Sequence, residues 1–167
     1  MAMAAPALTF RFFLSHPAHF VALGFGTGLA PWAPGTVATL FAIPLGDWLA
    51  VTTTDAGYLA AVAVLFAVGV WAAERTGRDL GVPDHGGIVI DEIVAFLLVM
   101  YFAGTSLERV ALGFLLFRLF DIAKPPPIRA IDARMKSGLG VMLDDLVAAA
   151  MALVAFAVIV RVTGWPA

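Results

Sequence analysis

The chain has 167 residues, enough for one domain, with a formal net charge of -2 and no cysteine. It is 62% hydrophobic and 13% charged, with a mean hydropathy of +0.97, whereas a soluble domain is about half apolar and about a quarter charged. The composition suits lipid, the lack of a basic excess excludes a nucleic-acid partner, and the lack of cysteine excludes disulfides, thiolate metal sites and a cysteine nucleophile.

Residues 1–9 carry no positive charge, and the next apolar stretch is interrupted by Arg11, His16 and His19. That is not a secretory signal, so the mature chain is expected to begin near residue 1. Both histidines are expected at the membrane interface. Gly24-Phe25-Gly26-Thr27-Gly28 and Pro34-Gly35-Thr36 follow. They read either as backbone that favours a phosphate at a helix N-terminus or as close packing of a loop. They lack the Gly-Lys-Ser/Thr ending of a P-loop.

Five apolar segments come next, at about 36–53, 58–73, 88–104, 107–123 and 139–162, judged against the roughly 17–25 residues of a spanning helix. The last fits comfortably and the second is short. Pro44 and Asp47 could kink the first or make it re-entrant. Glu74, Arg75, Arg78 and Asp79 read as a solvated loop. Ser106 is a plausible N-cap, and Pro125-Pro126-Pro127 stops the fourth segment. Strand-like alternation is absent, so the expected fold is all-α: a small multi-pass helical membrane bundle of one domain (core 24–162), with re-entrant or interfacial pieces allowed. With five alternating spans, Arg11, Arg75, Arg78, Lys124, Arg129, Arg134 and Lys136 share one face, while Arg109 and Arg161 lie on the other. The first face is then cytoplasmic.

Carboxylates mark the cytoplasmic ends of these segments. Asp91-Glu92 open the third, Asp121 closes the fourth and Asp144-Asp145 open the fifth. Charge at membrane depth is costly unless paired or bound to an ion. These residues therefore suggest a cluster for a hard divalent cation, Mg²⁺ over zinc. The competing reading, anions favoured by helix N-terminal dipoles, fits Asp91, Glu92, Asp144 and Asp145 but not Asp121. Neighbours on a helix point about 100° apart, so one of each adjacent pair is expected to ligate while the other orients a ligand or binds a second ion. Arg118 and Asp121 share a helix face. Arg118, Lys124 and Arg129 either hold a phosphate or simply neutralise the acids. His85, beside Asp84 and two glycines, is a candidate general acid or an exposed loop residue.

Taken together, the motifs resemble the phosphatidylglycerophosphatase A family. They are the glycine-rich 24–36 stretch; Asp84-His85-Gly86-Gly87 through Asp91-Glu92; Phe117-Arg118-Leu119-Phe120-Asp121-Ile122-Ala123-Lys124-Pro125 with Pro127-Ile128-Arg129; and Gly138-Leu139-Gly140-Val141-Met142-Leu143-Asp144-Asp145. The match runs in order over about 24–150. The resemblance implies an all-helical, Mg²⁺-dependent enzyme of the bacterial inner membrane. It would act on the phospholipid phosphatidylglycerophosphate, removing the terminal phosphate to leave phosphatidylglycerol. It carries catalytic and metal roles onto Asp91, Glu92, Asp121, Asp144 and Asp145, and phosphate contacts onto Arg118, Lys124 and Arg129, with Thr36 and His85 in the matched motifs. Pro126 stands where a bulky aromatic is expected, and Gly87 where serine is common. Direct attack by water and a phospho-aspartate intermediate both remain open. Two rivals use similar residues. A CDP-alcohol-type lipid phosphotransferase would show Asp-Gly, Ala-Arg and aspartates four apart. A cation transporter or channel would place charges nearer mid-span, often with repeat symmetry.

Overall fold

The computed structural model describes residues 8–165, except the side chains of 131 and 132, and among them every regular element is helical. The expected start of the mature chain near residue 1 lies outside the described residues. Two short helices, α1 (Phe10–Ser15) and α2 (Pro17–Ala22), lead into a 3₁₀ segment, Gly24–Leu29. Then follow α3 (Pro34–Thr52), α4 (Asp55–Leu80), α5 (Ile90–Ala103), α6 (Leu107–Ala123), α7 (Ile128–Arg134) and α8 (Gly138–Thr163).

Local chemistry explains most boundaries. The Thr54 hydroxyl accepts the Gly57 amide at the start of α4, and the Ser137 hydroxyl accepts the Gly140 amide at the start of α8. Gly81 and Gly164 end these helices in the left-handed conformation. Lys124 takes the same conformation (φ 42°) ahead of the three prolines. Pro44 lies inside α3, yet the helix continues through it to Thr52, so the first apolar segment is not re-entrant.

Among the described residues three helices, α3, α4 and α8, are long and apolar enough to cross a membrane, fewer than the five expected. At 1.5 Å per residue, α5 (14 residues) and α6 (17 residues) reach about 21 and 26 Å, short of the ~30 Å hydrocarbon core. Helix α5 is apolar for a different reason. It is buried nearly all round, from Ile90, Ile93 and Val94 through Phe96, Leu97, Val99 and Met100. A helix that is hydrophobic on every side belongs equally to a protein core and to lipid.

The presumed 74–79 loop is instead the last turns of α4. Arg75 and Asp79 pair one turn apart at 2.8 Å, and Arg78 approaches Glu74 at 3.8 Å, which favours continued helix. Asp79 also accepts from His19 Nε2 at 2.9 Å. His19 is buried against α4 rather than placed at an open interface, and it ties the N-terminal helices to the bundle.

Helix α8 packs on α4, α5, α6 and α7, and α5 also packs on α3. The long helices alternate in direction. Glu74 near the end of α4 accepts the Gly138 amide at the start of α8 (2.6 Å). At the other end, Tyr58 near the start of α4 donates to the Leu97 carbonyl of α5 (2.9 Å). The starts of α3, α5 and α8 therefore share one end of the bundle with the finishes of α4 and α6. That end carries the acidic residues.

Candidate active site

Helix α5 begins at Ile90 without a side-chain cap, so Asp91 and Glu92 occupy its first turn, where unbonded amides favour anions. Asp144 and Asp145 lie in the second turn of α8. Asp121 comes from the last turn of α6, whose dipole opposes it. Asp91, Asp121, Asp144 and Asp145 are all buried.

Three acids have a cation close at hand, two of them sharing Arg118. Arg118 Nη1 lies 2.6 Å from Asp121 Oδ2, one helical turn away, and 3.7 Å from Glu92 Oε1. Lys124 Nζ donates to Asp144 Oδ2 at 2.6 Å across the gap from α6 to α8. Asp91, Glu92 and Asp145 each present a carboxylate oxygen within 4.8 Å of the others. Asp91 and Glu92, about 100° apart on the helix, both bring an oxygen to this set, the longer glutamate side chain making up part of the angular step. Asp145 also makes close side-chain contact with Asp121, so Asp121 adjoins the three-carboxylate set.

The charge balance is uneven. Five carboxylates meet two cations, leaving three negative charges when all are ionised. Asp91 Oδ1, Glu92 Oε2 and Asp145 Oδ2 are buried with no hydrogen-bond donor among the described residues. Burying such anions uncompensated costs several kcal/mol each. An all-oxygen, negatively charged donor set of this kind suits a hard divalent cation. Arg118 keeps a spare donor as well, since its buried Nε has no acceptor among the described residues.

The glycine-rich stretch divides into two roles. Gly28 lies against the Gly87 carbonyl, where no side chain would fit, so this part is close packing. Gly35 opens α3 directly against the site: a Cβ there would coincide with Glu92 Oε1 and come within 3.3 Å of Arg118 Nη1. Thr36, half-buried, follows it in the first turn of α3. Gly35→Ala is expected to lower kcat about tenfold by displacing Glu92 and Arg118, while Val37→Ala, two residues on and exposed, stays near wild type; steady-state assays of both check this.

The remaining candidates lie further out. His85 is half-buried in the loop before α5, where Nδ1 accepts the Gly87 amide at 3.1 Å. Arg129 is exposed on α7. Glu74, which reads as a solvated loop residue in the sequence, holds the start of α8 from 64 residues away. Gly35 stands in the glycine-rich motif, but nothing local to it names Glu92 and Arg118 as its neighbours.

A family model for phosphatidylglycerophosphatase A matches residues 20–160. Phosphatidylglycerophosphatase A of Escherichia coli (strain K12) is 40% identical over 140 residues, covering 83% of this chain and 80% of that protein. Phosphatidylglycerophosphatase A of Haemophilus influenzae (strain ATCC 51907 / DSM 11121 / KW20 / Rd) is 40% identical over 142 residues, covering 84% and 87% respectively. No solved structure matches the chain. Matched over most of its length by both the family model and these relatives, the chain belongs to the phosphatidylglycerophosphatase A family.

Proposed function

We infer that this chain is a membrane phosphatase that hydrolyses the terminal phosphomonoester of phosphatidylglycerophosphate to phosphatidylglycerol, with Mg²⁺ held by Asp91, Glu92 and Asp145. The observation that carries the reading is the convergence of those three carboxylates at an end of the bundle where five acids face two cations, Arg118 and Lys124. When bound, the metal supplies Lewis-acid polarisation of a phosphoryl oxygen and a lowered pKa for an attacking water.

The protein groups supply the rest. Arg118 stands between Glu92 and Asp121 with a spare guanidinium donor, positioned to take charge developing on the phosphoryl oxygens. Lys124 supplies a second cation at the same end. The opening amides of α3, with Thr36, face this region past Gly35 and offer further donors to phosphate. Asp121 holds Arg118 and borders Asp145.

The membrane placement follows from the same end. Arg11, Arg75, Arg78, Lys124, Arg129, Arg134 and Lys136 belong to segments at the carboxylate end of the bundle, and Arg109 and Arg161 to the opposite end. By the positive-inside rule the site faces the cytoplasm across the inner membrane, with α5 and α6 nested as a hairpin among the three longer helices. A lipid headgroup reaches such a site while its tails stay in the bilayer. The grouping of charge at one end, instead of along the spans, weighs against a cation pathway.

The test is phosphate release from phosphatidylglycerophosphate by purified protein. Release should stop on chelation with EDTA and return on adding Mg²⁺. Turnover that survives exhaustive chelation would remove the metal from the mechanism, and no release at any Mg²⁺ concentration would remove the substrate assignment.

A further inference from the structure

On the outer wall of the bundle, α8 borders two open apolar grooves, the first shared with α6 and the second with the end of α5. One, of about 360 Å³, is lined by Phe120, Val147, Ala150, Met151, Val154 and Ala155. The next, of about 440 Å³, is lined by Ala150 and Val154 again, then by Phe102, Leu153, Phe156 and Ala157. They flank the edge of α8 formed by Ala150 and Val154, the first on the side of Phe120 and the second on the side of Phe102. Neither lining contains a charged side chain.

The first groove lies on the two helices, α6 and α8, that carry Asp121 and Asp144. Phe120 directly precedes Asp121. On α8, Asp144, Val147, Met151 and Val154 are spaced three, four and three apart, so they form one lane down the helix. The head of that lane is the Lys124–Asp144 pair. From Asp144 to Ala155 the helix rises about 16 Å, which matches the roughly 15 Å of one bilayer leaflet.

We propose that the α6–α8 groove is the binding slot for an acyl chain of the lipid substrate, aligning the headgroup with the Lys124–Asp144 end of the carboxylate cluster. This rests on the phosphatase reading above and adds the part of the substrate that the carboxylates cannot recognise. A chain gains little by leaving one apolar medium for another. The slot therefore works by shape and dispersion contact, and its effect is positional. The small residues Ala150 and Ala155 keep it open. The occupant is the chain of the substrate itself, not of any neighbouring lipid.

Val154 is 66% exposed and Val64, on α4, is 62% exposed, so tryptophan at either position adds bulk outside the core. In mixed micelles of fixed surface composition, Val154→Trp should lower the ratio of kcat/KM for dioleoyl to dihexanoyl phosphatidylglycerophosphate roughly threefold or more, because only the long chain reaches that depth of the leaflet. Val64→Trp should leave the ratio unchanged. An unchanged ratio in Val154→Trp, or an equal drop in both variants, overturns the proposal. In a second measurement, phosphatidylglycerophosphate carrying a diazirine midway along one chain should label the 147–157 stretch. Unlabelled substrate should suppress that labelling and phosphatidylcholine should not; equal suppression by both would mean the groove takes any lipid and would also overturn the proposal. If wild-type protein releases no phosphate from either lipid, the functional reading fails, and the labelling then decides the groove alone.

Discussion

Asp145→Asn is expected to reduce phosphate release by roughly three orders of magnitude, the scale seen when a charge-stabilising group is removed from a reacting centre, and at the same time to stabilise the metal-free protein. Both effects have one cause. Asp145 closes the set with Asp91 and Glu92 and touches Asp121, so it sits where negative charge is densest. Without a divalent cation these groups repel one another in a buried setting, and neutralising one relieves the repulsion. With the cation bound, the same residue is a ligand, and its loss weakens the site. Wild-type protein should gain about 2.7 kcal/mol of stability at Mg²⁺ one hundredfold above its Kd, and the variant should gain little. Thermal unfolding of both proteins with and without Mg²⁺ checks the crossing: the variant melts higher in EDTA and lower in Mg²⁺. A variant that Mg²⁺ stabilises as much as wild type would show that the ion, if bound, is held elsewhere.

The parts of the site that could be read in the sequence are those set by helical spacing. Arg118 and Asp121, three apart, meet as the spacing requires. Alternating helix direction brings Asp91-Glu92, Asp121 and Asp144-Asp145 to one end, as their positions at segment ends suggest. What spacing could not supply was partner choice between helices. Lys124 continues the Arg118–Asp121 row in sequence, but its left-handed backbone at the proline stop turns it towards Asp144 on α8. No periodicity encodes that turn. The misread spans have a similar origin. Helix α5 carries the composition of a membrane helix because it is the core of the bundle, and hydropathy does not distinguish neighbours made of protein from neighbours made of lipid. The charged end of α4 reads as a loop because its residues are polar, although Arg75 and Asp79 have the four-residue spacing of a helical pair.

Arg118→Ala is expected to lower kcat/KM about a hundredfold, equivalent to about 2.7 kcal/mol of lost transition-state stabilisation, while Arg75→Ala stays within about twofold because surface ion pairs of its kind contribute little. Arg75 is half-exposed on α4 and, among the described residues, pairs along its own helix with Asp79, which also meets His19. Arg118 is largely buried between Glu92 and Asp121. Two roles for it make different predictions. If it only neutralises Asp121, then Arg118→Ala leaves a carboxylate uncompensated, and adding Asp121→Asn should restore both stability and much of the activity. If it also takes charge on the transferring phosphoryl group, the double variant regains stability but remains as inactive as Arg118→Ala. The spare buried Nε favours the second outcome. Arg118→Lys sharpens the comparison, since it keeps the charge near Asp121 but loses the planar fork that fits phosphate. It should fold like wild type and still lose at least tenfold in kcat, a loss that pure neutralisation does not produce. Full activity in Arg118→Lys, or its recovery in the Arg118→Ala/Asp121→Asn pair, would reduce Arg118 to a counterion.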